Sequence, residues 1–265
     1  MDQAKSFVCK SCSTPVPPGH KFCGRCGASV PPEVAAMQTQ YFGALQTPGR
    51  AKVVLVRYKN AGGDALVEGT SFQLNAEQHI IGRSGHLVLS SDLFVAPRHA
   101  NLLYREGKLV ARDESENNGI YWRAREPVVL ASGSTLLVGD QLLRLDVEKP
   151  DGVYQDTEGT SFYGSPHTPI TFRVTQLLAC GGDGFSAVSR GDSMVIGREG
   201  ADLVFLDDCY LNPHHCRVEL VDGQFRVTDL GSMNGTYVRV AGEKELTHGD
   251  YIFVGQSLLR VEITS

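Results

Sequence analysis

The segment HIIGRSGHLVLSSDLFVAPRHANLLYREGKLVARDESENNGIYWR, His79–Arg123, lines up with MVIGREGADLVFLDDCYLNPHHCRVELVDGQFRVTDLGSMNGTYVR, Met194–Arg239. The ends correspond too: VGDQLLRLDV, Val138–Val147, matches VGQSLLRVEI, Val254–Ile263. The offset is 115 residues at Ile81 and Ile196 and 116 at His99 and His215, so one residue is inserted between those two points. One domain therefore occurs twice. In each copy short β-branched and aromatic runs, such as Val53–Tyr58 and Thr135–Gly139, alternate with Gly and Asp turns about every ten residues, the spacing of a β-sandwich. Asn118-Gly119 and Asn234-Gly235 are tight-turn signals, because a type I′ turn needs positive φ at both central positions. The predicted fold class is all-β, with the first copy at 51–147 and the second at 169–265.

Outside the repeat, four of the seven cysteines crowd the start of the chain as Cys9-x2-Cys12-x10-Cys23-x2-Cys26. Two CxxC pairs suit a tetrahedral zinc site, each knuckle supplying two thiolates, with Gly24 and Gly27 easing the second turn. Residues 1–30 are similar to the small zinc ribbons found at bacterial protein N-termini. Four thiolates close the coordination shell, so the zinc is expected to be structural, and His20 is expected at the surface. Residues 31–50 read as a linker or a short helix after Pro31-Pro32, and residues 148–168 as an acidic linker.

Composition narrows the function classes. The net charge is −5; residues 1–30 are positive, 51–147 are balanced and the acidic surplus lies beyond them. No basic face is available for a nucleic-acid backbone, so nucleic acid is not an expected partner. No run of apolar residues approaches the ~20 of a spanning helix, and MDQAKSFVCK lacks the apolar core of a signal peptide. The expectation is no membrane and a cytoplasmic location.

Ile196-Gly197-Arg198, His215 and Asp229 to Thr236 resemble the signature of the forkhead-associated (FHA) family, and the first copy repeats it as Ile81-Gly82-Arg83, His99 and Asp113 to Gly119. The resemblance implies two β-sandwiches whose loops at one end bind phosphothreonine peptides. On that basis Arg198, Asn212, Ser232 and Asn234 form the expected phosphopeptide site, supported by Gly197, His215, Gly235 and Thr236. Arg83, His99 and Asn118 form a weaker second site. The chemistry agrees: a phosphothreonine brings nearly two charges and three acceptors, which a guanidinium fork matches. His215 resembles the family histidine that braces the loops, so it is read as structural. Three residues before the histidine the family usually carries Ser; here Asn212 keeps an amide donor, whereas Ala96 has none. Glu116 stands where the second copy has Ser232, Ser115 is displaced by one, and Ile120 replaces Thr236. A carboxylate at 116 would repel a phosphate. These differences make the second copy the expected reader.

The expected function is thus a phosphothreonine-binding adaptor in Ser/Thr kinase signalling, its partners phosphothreonine-containing proteins, including kinases. A phosphate-independent interaction scaffold is the alternative. Enzymatic activity is not expected: no Ser-His-Asp order, phosphate-cradling Gly loop with Lys, or open metal site appears, and Cys180, Cys209 and Cys216 read as core thiols. Thr157 and Thr160 in the acidic linker are accessible to a kinase, and a phosphate there would lie at high effective concentration near an FHA site; a passive spacer is the plainer reading.

Overall fold

The computed structural model describes residues 7–13, 15–16, 22–23, 25–29, 51–58, 66–147, 155–161, 163–164 and 169–263. His20, Gly24 and the 31–50 segment lie outside them. Among the described residues all regular structure is β, and no helix is long and apolar enough to cross a membrane.

The N-terminal unit is a small ribbon in which β1 (Phe7–Val8) pairs antiparallel with β2 (Pro15–Val16). Phe22 bridges Ser29 beyond it.

The remainder of the described chain forms one compact unit. The first repeat supplies β3 (Ala51–Tyr58), β4 (Leu66–Gln73), β5 (Gln78–Gly82), β6 (Leu87–Val88), β7 (Ala100–Arg105), β8 (Lys108–Asp113), β9 (Ile120–Arg123), β10 (Val128–Leu130), β11 (Thr135–Val138) and β12 (Gln141–Asp146). The second supplies β13 (Phe172–Leu177), β14 (Asp183–Ser189), β15 (Ser193–Gly197), β16 (Leu203–Val204), β17 (Cys216–Val221), β18 (Gln224–Asp229), β19 (Thr236–Arg239), β20 (Glu243–Leu246), β21 (Tyr251–Val254) and β22 (Ser257–Ile263). The order of elements is the same in both, as the repeated sequence requires.

The pairing of these strands is not what two self-contained copies would give. One sheet runs β20-β8-β7-β5-β6, another β10-β18-β17-β15-β16, and a ten-stranded sheet runs β14-β13-β12-β11-β19-β9-β21-β22-β3-β4. Strands β10 to β12 of the first repeat thus complete the sandwich of the second, and β20 to β22 of the second complete that of the first. The repeat limits 51–147 and 169–265 mark copies in sequence, whereas each sandwich draws residues from both. This is domain swapping between two halves of a single chain.

The cores follow the exchange. One contains Val53, Ile81, Leu102 and Ile120 together with Val240, Leu246, Ile252, Val254, Leu259 and Val261. The other surrounds Phe172, Ile196 and Val218 with Leu130, Leu136, Val138, Leu143 and Leu145. Trp122 packs against both. At ~1.5–3 kcal/mol per fully buried aliphatic side chain, the six contributed from the second repeat represent roughly 10 kcal/mol, comparable to the whole stability of a domain.

The crossing begins just after β9, where Ala124-Arg125-Glu126-Pro127 leads directly into β10. The chain carries on across its partner strand: Ala124 N–H donates to Thr236 O at 2.8 Å, and Val240 N–H to Ile120 O at 2.9 Å.

Within the acidic linker, Gln155 bridges Ser161 and the Asp156 Oδ1 accepts from the N–H groups of Glu158 and Thr160. Thr157 and Thr160 are exposed on this small loop.

Candidate functional site

Three loops meet at one end of the second sandwich: 198–202 after β15, 205–215 before β17, and 230–235 before β19. The first two touch through backbone. Arg198 N–H donates to Asn212 O at 2.9 Å, and a Cβ on Gly197 would fall 1.8 Å from Pro213 O. Gly197 is therefore required for close approach of two chains rather than for an unusual φ. In the first copy Arg83 N–H donates to Ala96 O, and a Cβ on Gly82 would lie 2.1 Å from Pro97 O.

His215 joins the second and third loops from inside and is completely buried. Its Nδ1 accepts the Asn212 N–H at 3.2 Å, so the ring proton lies on Nε2, which donates to Gly235 O at 3.0 Å. Burial, the main cause, holds its pKa below the ordinary value even though the Gly235 carbonyl acts the other way. His99 repeats the arrangement with Ala96 N–H at 3.0 Å and Gly119 O at 2.8 Å.

The side chain of Ser232 is committed inward. Its hydroxyl donates to Asp229 Oδ2 at 2.6 Å and accepts the Gly235 N–H at 2.9 Å, and Thr236 Oγ1 donates to the same carboxylate oxygen at 2.7 Å. Burial works against the charge on Asp229, but these hydroxyls and the Ser232 N–H outweigh it and hold the carboxyl below the usual range. Ser232 thus shapes the turn, its hydroxyl engaged with Asp229 and Gly235. Ser115 does the same work in the first copy despite its one-residue displacement, donating to Asp113 at 2.7 Å and accepting Gly119 N–H at 2.8 Å.

What remains open to a ligand is a smaller group. Arg198 is half-buried and makes no ion pair among the described residues. Asn212 accepts the Met233 N–H through Oδ1 at 3.1 Å, which orients its amide and leaves the NH2 available. Asn234 donates to Tyr210 O at 2.7 Å, while its buried Oδ1 has no hydrogen-bond partner among the described residues. An orphaned buried acceptor costs ~1–3 kcal/mol. Asn234 also borders a groove of about 310 Å³ with Leu137, Tyr210, Tyr237 and Phe253.

Around Arg83 the first copy forms a cleft of about 490 Å³ with Leu93, Phe94, Pro97, Ser115 and Asn118. Asn118 is exposed and donates to Phe94 O at 2.8 Å. Glu114 at its edge is ion-paired to Arg98 and Arg112, whereas Glu116 is exposed.

Two residues not singled out from sequence are Asp92 and Asp208, at equivalent places in the two copies. Asp208 Oδ2 accepts from Asp140 N–H and Gln141 Nε2, and Asp92 Oδ2 from Gln256 N–H and Ser257 Oγ. Each aspartate fastens a turn of the other repeat to its own site loop. Their recurrence in both copies was the available signal.

In the ribbon, the Sγ atoms of Cys9, Cys12, Cys23 and Cys26 all lie within 4.8 Å of one another, with Cys9 to Cys26 and Cys12 to Cys23 both at 3.6 Å. A thiolate tetrahedron with ~2.3 Å metal–sulfur bonds has edges of about 3.8 Å, so this donor set could hold a metal ion. Of the other cysteines, Cys216 is buried, its thiol pushed up to about 12 by desolvation, while Cys180 and Cys209 are exposed. The expectation of three core thiols is corrected for those two: both sit on turns, not inside a strand pattern.

The FHA domain family model matches residues 79–139 and again 194–255, one match in each repeat. Glycogen accumulation regulator GarA of Mycolicibacterium smegmatis is 37% identical over 62 residues, 23% of this chain and 39% of that protein. The oxoglutarate dehydrogenase inhibitor of Corynebacterium diphtheriae is likewise 37% identical over 62 residues, 23% of this chain and 43% of that protein. The chain therefore spans about two fifths of the length of these curated relatives. Among solved structures, Mycobacterium tuberculosis EmbR in complex with low affinity phosphopeptide shares 20% identity over 42% of this chain and 27% of that one, with a TM-score of 0.23.

Proposed function

We propose that the protein is a non-enzymatic adaptor that binds phosphothreonine-containing partners, among them Ser/Thr kinases or their substrates, with the second FHA site as principal reader and the first as the weaker one. The observation that carries the reading is that three loops meeting at one end of the second sandwich carry Arg198, which makes no ion pair among the described residues, Asn212, whose oriented amide leaves its NH2 available, and Asn234. A phosphate would take the guanidinium of Arg198 and the amide of Asn212. The first site keeps Arg83 and Asn118 but has Ala96 in place of a donor and the carboxylate of Glu116 at its rim. In the ribbon, the proposed metal is a structural zinc held by Cys9, Cys12, Cys23 and Cys26; it would tie the two knuckles together and leave no open position for substrate.

The test is calorimetric titration of the full chain with a phosphothreonine peptide and its unphosphorylated form. Arg198→Ala is expected to lower affinity tenfold or more, since a charge-assisted contact contributes ~1.5–3 kcal/mol, and Arg83→Ala much less. Dominance of Arg83 would reverse the assignment of the reader, and equal binding without phosphate would favour the scaffold reading.

A further inference from the structure

We propose that Arg239, a residue of the second repeat, is a positioning residue of the first site, where it replaces a hydroxyl that the first repeat lacks. The inference rests on the reading of the first site as a phosphopeptide binder.

The two sites differ at one supporting atom. In the second, Asp229 Oδ2 accepts from both Ser232 and Thr236 hydroxyls, and Oδ1 accepts the N–H groups of Gly231 and Ser232. In the first, Asp113 Oδ1 accepts the N–H and hydroxyl of Ser115. The position of Thr236 is taken by Ile120, which is fully buried and has no donor. Asp113 is only 11% exposed, and a carboxylate oxygen at that depth needs a partner. The partner is Arg239, whose Nη2 lies 3.5 Å from Asp113 Oδ2.

The strand exchange brings it there. β19 lies beside β9 with Arg239 opposite Tyr121, and the guanidinium crosses the face of Gly119, where a Cβ would fall within 2.3 Å of Nε. From Asp113 the support continues through Ser115 to the Gly119 N–H, and the Gly119 carbonyl receives His99 Nε2. The mirror residue Arg123 crosses Gly235 in the same way, but makes no ion pair with Asp229, whose oxygens the hydroxyls already fill. The arginine is thus needed on one side only.

The experiment uses the full chain and two readouts: amide hydrogen exchange at Gly119, and phosphothreonine-peptide affinity of the first site measured in an Arg198→Ala background. Arg239→Ala is expected to speed Gly119 exchange and weaken first-site binding by about fivefold, with Gly235 exchange unchanged. Adding Ile120→Thr restores both, because threonine donates to Asp113 as Thr236 does to Asp229. Since a threonine in the core can unfold the first sandwich, Arg239→Lys is a second rescue that leaves the core intact and returns the charge. Unchanged Gly119 exchange in Arg239→Ala, or equal acceleration at Gly119 and Gly235, would overturn the proposal. If the wild-type chain binds no phosphothreonine peptide, the functional reading fails while Gly119 exchange still decides this one.

Discussion

Trp122 pairs in register with Val238, the residue that fills the same place in the other repeat. A strand paired with its own counterpart, antiparallel, places a local two-fold relation at that point, and the two Asn-Gly turns therefore leave the central strands at opposite ends. Each turn is crossed by an arginine of the other repeat. The two sites face apart but share their framework.

That arrangement predicts an unusual outcome for truncation. A chain ending at Gly242 loses β20 to β22, which pair with β8, β9 and β3 of the first repeat. Hydrogen exchange is expected to show loss of protection at Val53, Ile81 and Leu102, with Ile196 and Val218 still protected. Self-contained repeats would give the reverse pattern.

Gly197→Ala should abolish binding at the second site. The added methyl meets a backbone carbonyl at 1.8 Å, so the Arg198 loop must separate from the 212–213 segment. Peptide affinity falling at least tenfold, with a stability loss of ~1–3 kcal/mol in denaturant titrations, is the expected result.

The pH dependence follows from His215. Its folded pKa is depressed, so the unfolded chain takes the proton first as pH falls. The stabilisation is complete above about pH 6.5 and is lost progressively as pH falls from there toward the folded pKa. Protonation of Nδ1 also removes the acceptor for the Asn212 N–H. Thermal melts between pH ~7.5 and ~5.5 should show this slope, and His215→Asn should reduce it, leaving the part due to His79, whose pKa burial also lowers; the Asp229 carboxylate, with its lowered pKa, titrates well below that window.

For the ribbon, elemental analysis of purified protein is expected to find one zinc per chain. Chelation should unfold residues 9–26 and leave both sandwiches folded, as monitored by the amide spectrum of the β-sheet residues.

The sequence made the repeat and the four-cysteine cluster legible because each rests on local spacing. The exchange was hidden for a physical reason. β11 and β21 bury matching residues, Leu136 and Val138 against Ile252 and Val254, so either strand satisfies the same sheet edge and hydrophobic pattern cannot tell the two apart. Ser232 entered the expected site by resemblance, and the direction of its hydroxyl is set by Asp229, a partner that only the folded turn brings within 2.6 Å.

The most direct test is a chemical-shift titration of the isotope-labelled full chain with a phosphothreonine peptide. The account predicts saturable shifts of the Arg198, Asn212 and Met233 amides at peptide levels where the unphosphorylated form moves none of them, with smaller shifts at Arg83 and Asn118. Equal shifts from both peptides, or shifts confined to the sheet faces, would contradict phosphate-dependent recognition.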